Sequence, residues 1–305
     1  MTIRFDGQVA IITGAGRGLG RTHALALAER GARVVVNDLG TGGGNSENAL
    51  AVVAEIEAAG GKAIANGANV ADFEQVTAMV QQTMDKWGRV DILINNAGIL
   101  RDKTFAKMAI EDFKLVVDVH LMGTANCTKA VWDIMREQQY GRIVFTTSSS
   151  GLYGNFGQSN YGAAKMAMVG LMNTLHLEGA KSNIRVNCLA PGAGTAMTDG
   201  LLPKPVFDLL TPESVSPGAV YLVSEDAPSR KVLAAAGGSF AIFKGFETTG
   251  LSLLPEQLSA EGVAAAWDSI DNETGMSELQ AGFEQTTKFA GQAAAALGID
   301  LSGKG

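Results

Sequence analysis

Cysteine is scarce in this chain. The two among 305 residues, Cys127 and Cys188, exclude a disulfide framework and fit a reducing compartment. No apolar run approaches the roughly 20 residues that a membrane span needs. The opening MTIRFDGQVAIITGAG meets a glycine turn after a short apolar run, so neither a secretory leader nor a membrane anchor is expected. Positive charge is also short. Lys and Arg number 24 against 31 Asp and Glu, a net charge of −7, which argues against general nucleic-acid or anionic-membrane binding but leaves room for a local basic patch. Internal repeats and charge blocks are missing, and no metal site is expected. Charged residues at 18% and hydrophobic ones at 46% exclude a disordered chain. The composition describes a soluble, cytoplasmic protein with a large core.

What is present is a regular alternation. Residues 8–12, QVAII, form a short continuous apolar run of the kind found in buried parallel strands. TGAGRGLG follows at 13–20 and opens a helix through Arg30, closed by Gly31. This combination suits a pyrophosphate. Gly14, Gly18 and Gly20, with Arg17 and Leu19 in the same turn, let the backbone come close, and the helix start aims N–H groups at the anion. A second strand at 33–38 ends in Asp38, placed to accept hydrogen bonds from the adenine ribose and to repel a 2′-phosphate. Asp38 therefore favours NAD over NADP. Arg17 pulls the other way, since a guanidinium pairs well with a 2′-phosphate.

The pattern continues with a helix at 46–59, a strand at 62–65 with Asn69 and Val70 beyond it to border the adenine, and a helix from an Asp72 N-cap to Trp87. A strand at 90–94 runs into Asn95, Asn96, Ala97 and Gly98, small or amide residues that admit a flat ligand. Helices at 111–137 and 159–180 lead to strands at 142–147 and 184–189, and Pro191 and Gly192 follow. Such an order specifies an α/β fold, a doubly wound parallel sheet of Rossmann type with ligands beyond the carboxyl ends of its strands. Gly237-Gly238 precedes a last strand at 239–243, and stretches at 260–267 and 279–297 read as helices. The expected division is a catalytic domain at 1–245 and a helical extension at 246–305.

The chemistry gathers in SSSGLYGNFGQSNYGAAK, residues 148–165. Tyr161 and Lys165 lie four apart, so a helix places both on one face. A phenol beside an ammonium is expected below its usual value of about 10. Reaching neutrality needs about 4 kcal/mol of differential stabilisation, which a lysine plus a cationic cofactor ring in a partly dry site would supply. Such a tyrosine exchanges a proton with an alcohol or carbonyl oxygen. Ser148, at the end of a strand, presents its hydroxyl to the same oxygen. Tyr153 and Phe156 are candidates to border the substrate, and residues 195–210 to form a lid over it. Met166, Met168 and Met172 read as packing residues, and His23 and His176 as helix-surface or rim residues.

TGAGRGLG, NNAG at 95–98, the Ser148, Tyr161 and Lys165 set, and Pro191-Gly192 together resemble the ordered motifs of the short-chain dehydrogenase/reductases. The resemblance implies a secondary-alcohol oxidoreductase. NAD would lie over Tyr161 and Lys165 and reach Pro191, Gly192, Ala193, Gly194, Thr195 and Ala196. A homodimer or homotetramer would form through the helices at 111–137 and 159–180. VVVNDLG, NNAGILRDK, YGRIVFTTSSSGLYGNFGQSNY and EGAKSNIRVNCLAPGAG resemble more closely a subgroup of that family with a helical C-terminal extension. The subgroup implies oxidation of (3R)-hydroxyacyl-CoA to 3-ketoacyl-CoA. Many family members carry a catalytic asparagine in the helix before the serine strand, where this chain has His120, as the subgroup does. In the family that asparagine acts largely through a main-chain carbonyl that holds a water near the lysine, a role a histidine preserves. A buried histidine bonded to backbone is the other reading. Two further functions stay open: a dehydrogenase of a sterol, terpenoid or other secondary alcohol, and a catalytically silent NAD-binding regulatory protein.

Overall fold

The computed structural model describes residues 2–41, 44–194 and 203–301. The chain divides into two compact units, Met1–Phe243 and Lys244–Gly305. In the first, strands and helices alternate as β1 Val9–Thr13, α1 Gly18–Glu29, β2 Arg33–Asn37, α2 Glu47–Ala58, β3 Lys62–Asn66, α3 Phe73–Trp87 and β4 Ile92–Asn95. They continue through α4 Ile110–Val117, α5 Gly123–Gln138, β5 Gly141–Thr146, α6 Ser149–Tyr153, α7 Ser159–Gly179, β6 Ile184–Gly192, α8 Lys204–Leu209, α9 Ser216–Leu222, β7 Val232–Ala236 and β8 Ser239–Phe243. The sheet order is β3-β2-β1-β4-β5-β6-β7-β8, parallel except for the final β7–β8 hairpin. Strand order reverses between β1 and β4, which leaves a crevice at their carboxyl ends.

Alternation along the strands builds two core layers. Ala10, Ile12, Val34, Val36, Ile92 and Ile94 face α1, α2 and α9, whereas Ile11, Val35, Leu93, Ile143 and Phe145 face α3, α5 and α7. The strands are apolar throughout because both faces are covered. Helix α7 carries buried Asn160, Ala164, Met168 and Met172 at four-residue spacing, with Lys165 and Val169 beside them, so two of the three expected packing methionines reach the core. Met166 stands half out of it. Asp72 caps α3 by accepting from the N–H groups of Glu74 and Gln75.

Four expectations need correcting. The helix read at 111–137 is interrupted by a π turn, Asp118–Met122. β6 runs on to Gly192, and the alanine-rich β7 was not anticipated. His23 is fully buried rather than on the rim, because Ser216 supplies it a partner from α9. In the expected lid, residues 195–202 lie outside those described, and α8 follows them.

The second unit holds α10 Ala260–Ala265, α11 Trp267–Ile270 and α12 Gly282–Leu297. Within it Lys288 Nζ lies 2.8 Å from a Glu247 carboxylate oxygen, and Thr248 Oγ1 donates to the Ile270 carbonyl at 2.7 Å. Among the described residues no helix is long and apolar enough to cross a membrane.

Candidate active site

The turn after β1 is shaped by contacts that leave no space for a side chain. A Cβ on Gly14, whose φ is +61°, would sit 2.8 Å from Ala97 Cα, and one on Gly20 would sit 2.3 Å from the Gly14 carbonyl oxygen. Thr13 Oγ1 accepts from the N–H groups of Asn96 and Ala97, both at 3.0 Å. The Asn96 amide returns two bonds to the Thr13 and Gly14 carbonyls, at 2.9 and 3.0 Å. These bonds lock the ends of β1 and β4 together across the crevice. Thr13 was not singled out as a site residue. Its signal was its place at the head of the glycine turn.

Asp38, just past β2, accepts from the Gly16 N–H at 2.8 Å, which sets its carboxylate beside the glycine turn. Arg17 precedes the first turn of α1, which contains Gly18, Leu19 and Gly20. Beyond β3, Asn69 closes a turn onto the Ala71 N–H, while buried Val70 offers its carbonyl to Asn126 at 2.9 Å. Pro191 and Gly192 end β6, with Ala193 and Gly194 next. Thr195 and Ala196 lie outside the described residues. Apart from these two, every expected cofactor residue falls at the carboxyl edge of the sheet, on the first turn of α1 or on the first two turns of α7. A cavity of about 800 Å³ opens at the opposite edge, between Arg33, Lys62 and Ile56. No catalytic candidate lines it, so the chemistry belongs elsewhere.

Strand β5 is stitched to α7 by reciprocal bonds. Lys165 Nζ donates to the Thr146 carbonyl at 2.5 Å, and Thr147 Oγ1 donates to the Lys165 carbonyl at 2.7 Å. Ser148 follows at once and caps α6 through the Ser150 N–H at 3.2 Å, with its hydroxyl near enough to the Tyr161 phenol to favour the ionised form. The Lys165 ammonium sits 5.3 Å from the centre of the Tyr161 ring, and the His120 imidazole meets that ring edge-on at 5.1 Å. The structure therefore brings Ser148, Tyr161, Lys165 and His120 together. His120 Nε2 lies 3.0 Å from the Ile99 nitrogen and 2.8 Å from its carbonyl oxygen, while buried Nδ1 has no hydrogen-bond partner among the described residues.

Electrostatics at this cluster depart from the spacing argument. Burial raises the Tyr161 phenol above its usual value, Ser148 draws it back, and the negative charge of Asp102 raises it further. The expected depression of the phenol by Lys165 is not found in the chain alone. Burial is the largest influence on the phenol, and it also lowers Lys165 itself to about 7. His120 falls to about 3, chiefly by burial and then by the nearby Lys165 charge, so it stays neutral.

Tyr153 and Phe156 are 73% and 90% exposed, so neither forms a closed pocket wall. Tyr153 packs edge-on against Phe243 at 5.8 Å. Sequence reading passed over Asn160, which is wholly buried and accepts the Tyr161 N–H at 2.7 Å. Its place beside the tyrosine was the available signal.

Comparison with known proteins agrees with this arrangement. The chain is 43% identical over 291 residues to peroxisomal multifunctional enzyme type 2 of Mus musculus, covering 93% of this chain and 39% of that protein. It therefore spans about two-fifths of that relative's length. The structure of the full-length peroxisomal multifunctional enzyme type 2 from Drosophila melanogaster superposes with a TM-score of 0.80 at 38% identity, over 95% of this chain and 50% of the other. A 7α-hydroxysteroid dehydrogenase complexed with NADH and 7-oxo glycochenodeoxycholic acid superposes at 0.71 and 31% identity, over 77% and 95%. The family model described as short chain dehydrogenase matches residues 8–204. This chain is a member of the short-chain dehydrogenase family.

Proposed function

We propose that the protein is an NAD-dependent oxidoreductase interconverting (3R)-hydroxyacyl-CoA and 3-ketoacyl-CoA. The observation that carries the reading is the Tyr161 phenol, drawn toward ionisation by Ser148 and flanked by Lys165, at the carboxyl edge of a dinucleotide-binding sheet. The chain fits the cofactor. Side chains at Gly14 or Gly20 would collide with Ala97, Asn96 or the Gly14 carbonyl and deform the turn that faces a pyrophosphate, and Asp38 beside that turn favours NAD through repulsion of a 2′-phosphate. Gly14, Arg17, Gly18, Leu19 and Gly20 would hold the pyrophosphate, and Asp38 the adenine ribose.

The chemistry that NAD would supply when bound is acceptance of a hydride from the carbinol carbon. Tyr161 takes the hydroxyl proton, and Ser148 donates to the same oxygen as it becomes a carbonyl. Burial works against the phenolate, so the reading requires positive charge nearby. Lys165 supplies one such charge, and the oxidised cofactor ring adds another. Returning the proton through Tyr161 serves the reverse reaction.

A second reading keeps this chemistry and takes a sterol or other secondary alcohol, favoured by the likeness to the hydroxysteroid enzyme. The test is reduction of NAD at 340 nm with 3-hydroxyacyl-CoAs of varied chain length, steroid alcohols and simple secondary alcohols. Highest kcat/KM on a (3R)-hydroxyacyl-CoA upholds the proposal. Preference for a steroid alcohol transfers it to the second reading, and NAD binding without turnover of any of these leaves a silent nucleotide-binding protein. The reading includes a homodimer or homotetramer, which sedimentation would detect.

A further inference from the structure

Two loops are sewn together next to the phenol. Residues 99–104 leave the end of β4, and residues 154–158 lead into α7. The Gln158 amide donates to Asp102 Oδ2 at 2.7 Å, and its carbonyl oxygen accepts from Asn155 Nδ2 at 3.0 Å. Beside this pair, the Lys103 N–H donates to the Gly157 carbonyl at 2.9 Å. Asn160 donates to the Arg101 carbonyl at 3.0 Å while accepting the Tyr161 N–H. That last N–H lies in the first turn of α7, where helices leave donors without intrahelical partners. Gln158 is buried although Asp102 is exposed, so the carboxylate at the surface is held from the protein side by a largely covered amide.

We propose that Asp102, clamped by Gln158, is a positioning residue for Tyr161. It fixes the loop after β4 against the entry to α7 and keeps a negative charge within electrostatic reach of the phenol. The proposal rests on Tyr161 being the proton-transfer residue of the reading above.

The groups around the phenol act in opposite senses. Asp102, from the loop after β4, disfavours phenolate, and Ser148, from the end of β5, favours it. Lys165 lies one turn along α7, and His120, from the π turn, is neutral. Asp102 itself faces Gln158 and stands between Arg101 and Lys103. Arg101 is turned toward Asp112 at the start of α4, 3.7 Å away. Burial, the larger cause, holds the phenol of the free enzyme in the protonated form that ketone reduction consumes, and Asp102 adds to it.

Asp102→Asn removes the charge but keeps a carbonyl oxygen for the Gln158 amide. The direct readout is the titration of Tyr161 by carbon NMR of ring-labelled tyrosine, the resonance being identified from Tyr161→Phe. In D102N this resonance should titrate at lower pH than in the wild type. The acid limb of kcat for alcohol oxidation should shift the same way, giving at least about twofold higher turnover below the wild-type midpoint. Asp102→Glu, which keeps the charge, should restore the wild-type limb, with NAD affinity unchanged in both. A Tyr161 titration that does not move in D102N overturns the proposal, whatever happens to turnover. A titration that moves as expected, in an enzyme that oxidises no alcohol, upholds the clamp and overturns the functional reading instead.

Discussion

His23 Nδ1 lies 2.8 Å from Ser216 Oγ, which joins α1 to α9 inside the core. Ser216 Oγ donates to Thr22 Oγ1 at 2.9 Å, and Thr22 in turn donates to the Leu19 carbonyl at 2.9 Å. Each hydroxyl has one proton to give, so the direction of the chain is fixed and His23 must donate from Nδ1–H. Its Nε2, buried with no hydrogen-bond partner among the described residues, is then the bare nitrogen. This chain braces the first turn of the helix that carries Gly18 and Gly20.

Protonating that ring would bury a charge, and burial pushes His23 down to about 4 from 6.5. Between these values the unfolded chain binds a proton that the native chain refuses. Stability is therefore full above pH 6.5 and declines as pH falls toward 4, by up to about 3 kcal/mol from this group. His120 adds to the loss in the same sense. Urea unfolding at several pH values should show the decline, and His23→Asn should flatten it. An equal slope in that variant would show that His23 is not its source.

Lys165 is held for its chemistry at a cost to the fold. Burial lowers it from 10.5 to about 7, so the penalty grows as pH falls from 10.5 and is complete below 7. Lys165→Met should abolish turnover yet stabilise the protein at pH 6 by about 1–4 kcal/mol, after allowance for the lost bond to the Thr146 carbonyl. Denaturant midpoints of the two proteins decide the point. A destabilised K165M would show that the ammonium is better compensated than its surroundings indicate.

Gly98 and His120 are matched in volume. A Cβ on Gly98 would lie 2.2 Å from His120 Cε1, and the imidazole is pinned between Ile99 and the Tyr161 ring. Gly98→Ala should cost about 1–3 kcal/mol, and adding His120→Ala should recover part of it. A double-mutant cycle of unfolding free energies measures the coupling. Additive effects would mean that the ring simply moves aside.

Asp38 should decide between the two nicotinamide cofactors. Asp38→Ala removes the repulsion toward a 2′-phosphate and one anchor of the glycine turn. KM for NAD should rise at least about tenfold while NADP becomes a competent substrate. Unchanged preference in D38A would assign the choice to another residue.

Much of this architecture could be read before any coordinates, because most parallel strands are short apolar runs, and α1 starts at Gly18, α3 runs from an Asp72 cap to Gly88, and α7 ends at Gly179. Residues 9–13, 33–37 and 92–95 all lie within or next to such runs. β7 escaped notice because Val232-Leu-Ala-Ala-Ala236 has little strand propensity and is held by pairing with β6 and β8. His23 was misplaced because its partner lies 193 positions away, beyond any local pattern. The cluster of Ser148, Tyr161 and Lys165 was legible from spacing. The proton affinity of the phenol was not, since burial chiefly sets it, and burial follows from the packing of the whole site.

The π turn at 118–122 has a consequence of its own. Buried positions from Val116 through His120, Thr124, Cys127 and Val131 to Met135 make five steps over nineteen residues, where an ideal helix would use about eighteen. The surplus residue is stored in that one widened coil. Deleting any residue there would let the helix close into ordinary hydrogen bonding and rotate everything on one side of the cut by about 100°. The imidazole would then leave Ile99, or α5 would turn its core side chains outward. The location of His120 is thus encoded by a residue count as firmly as by any side chain.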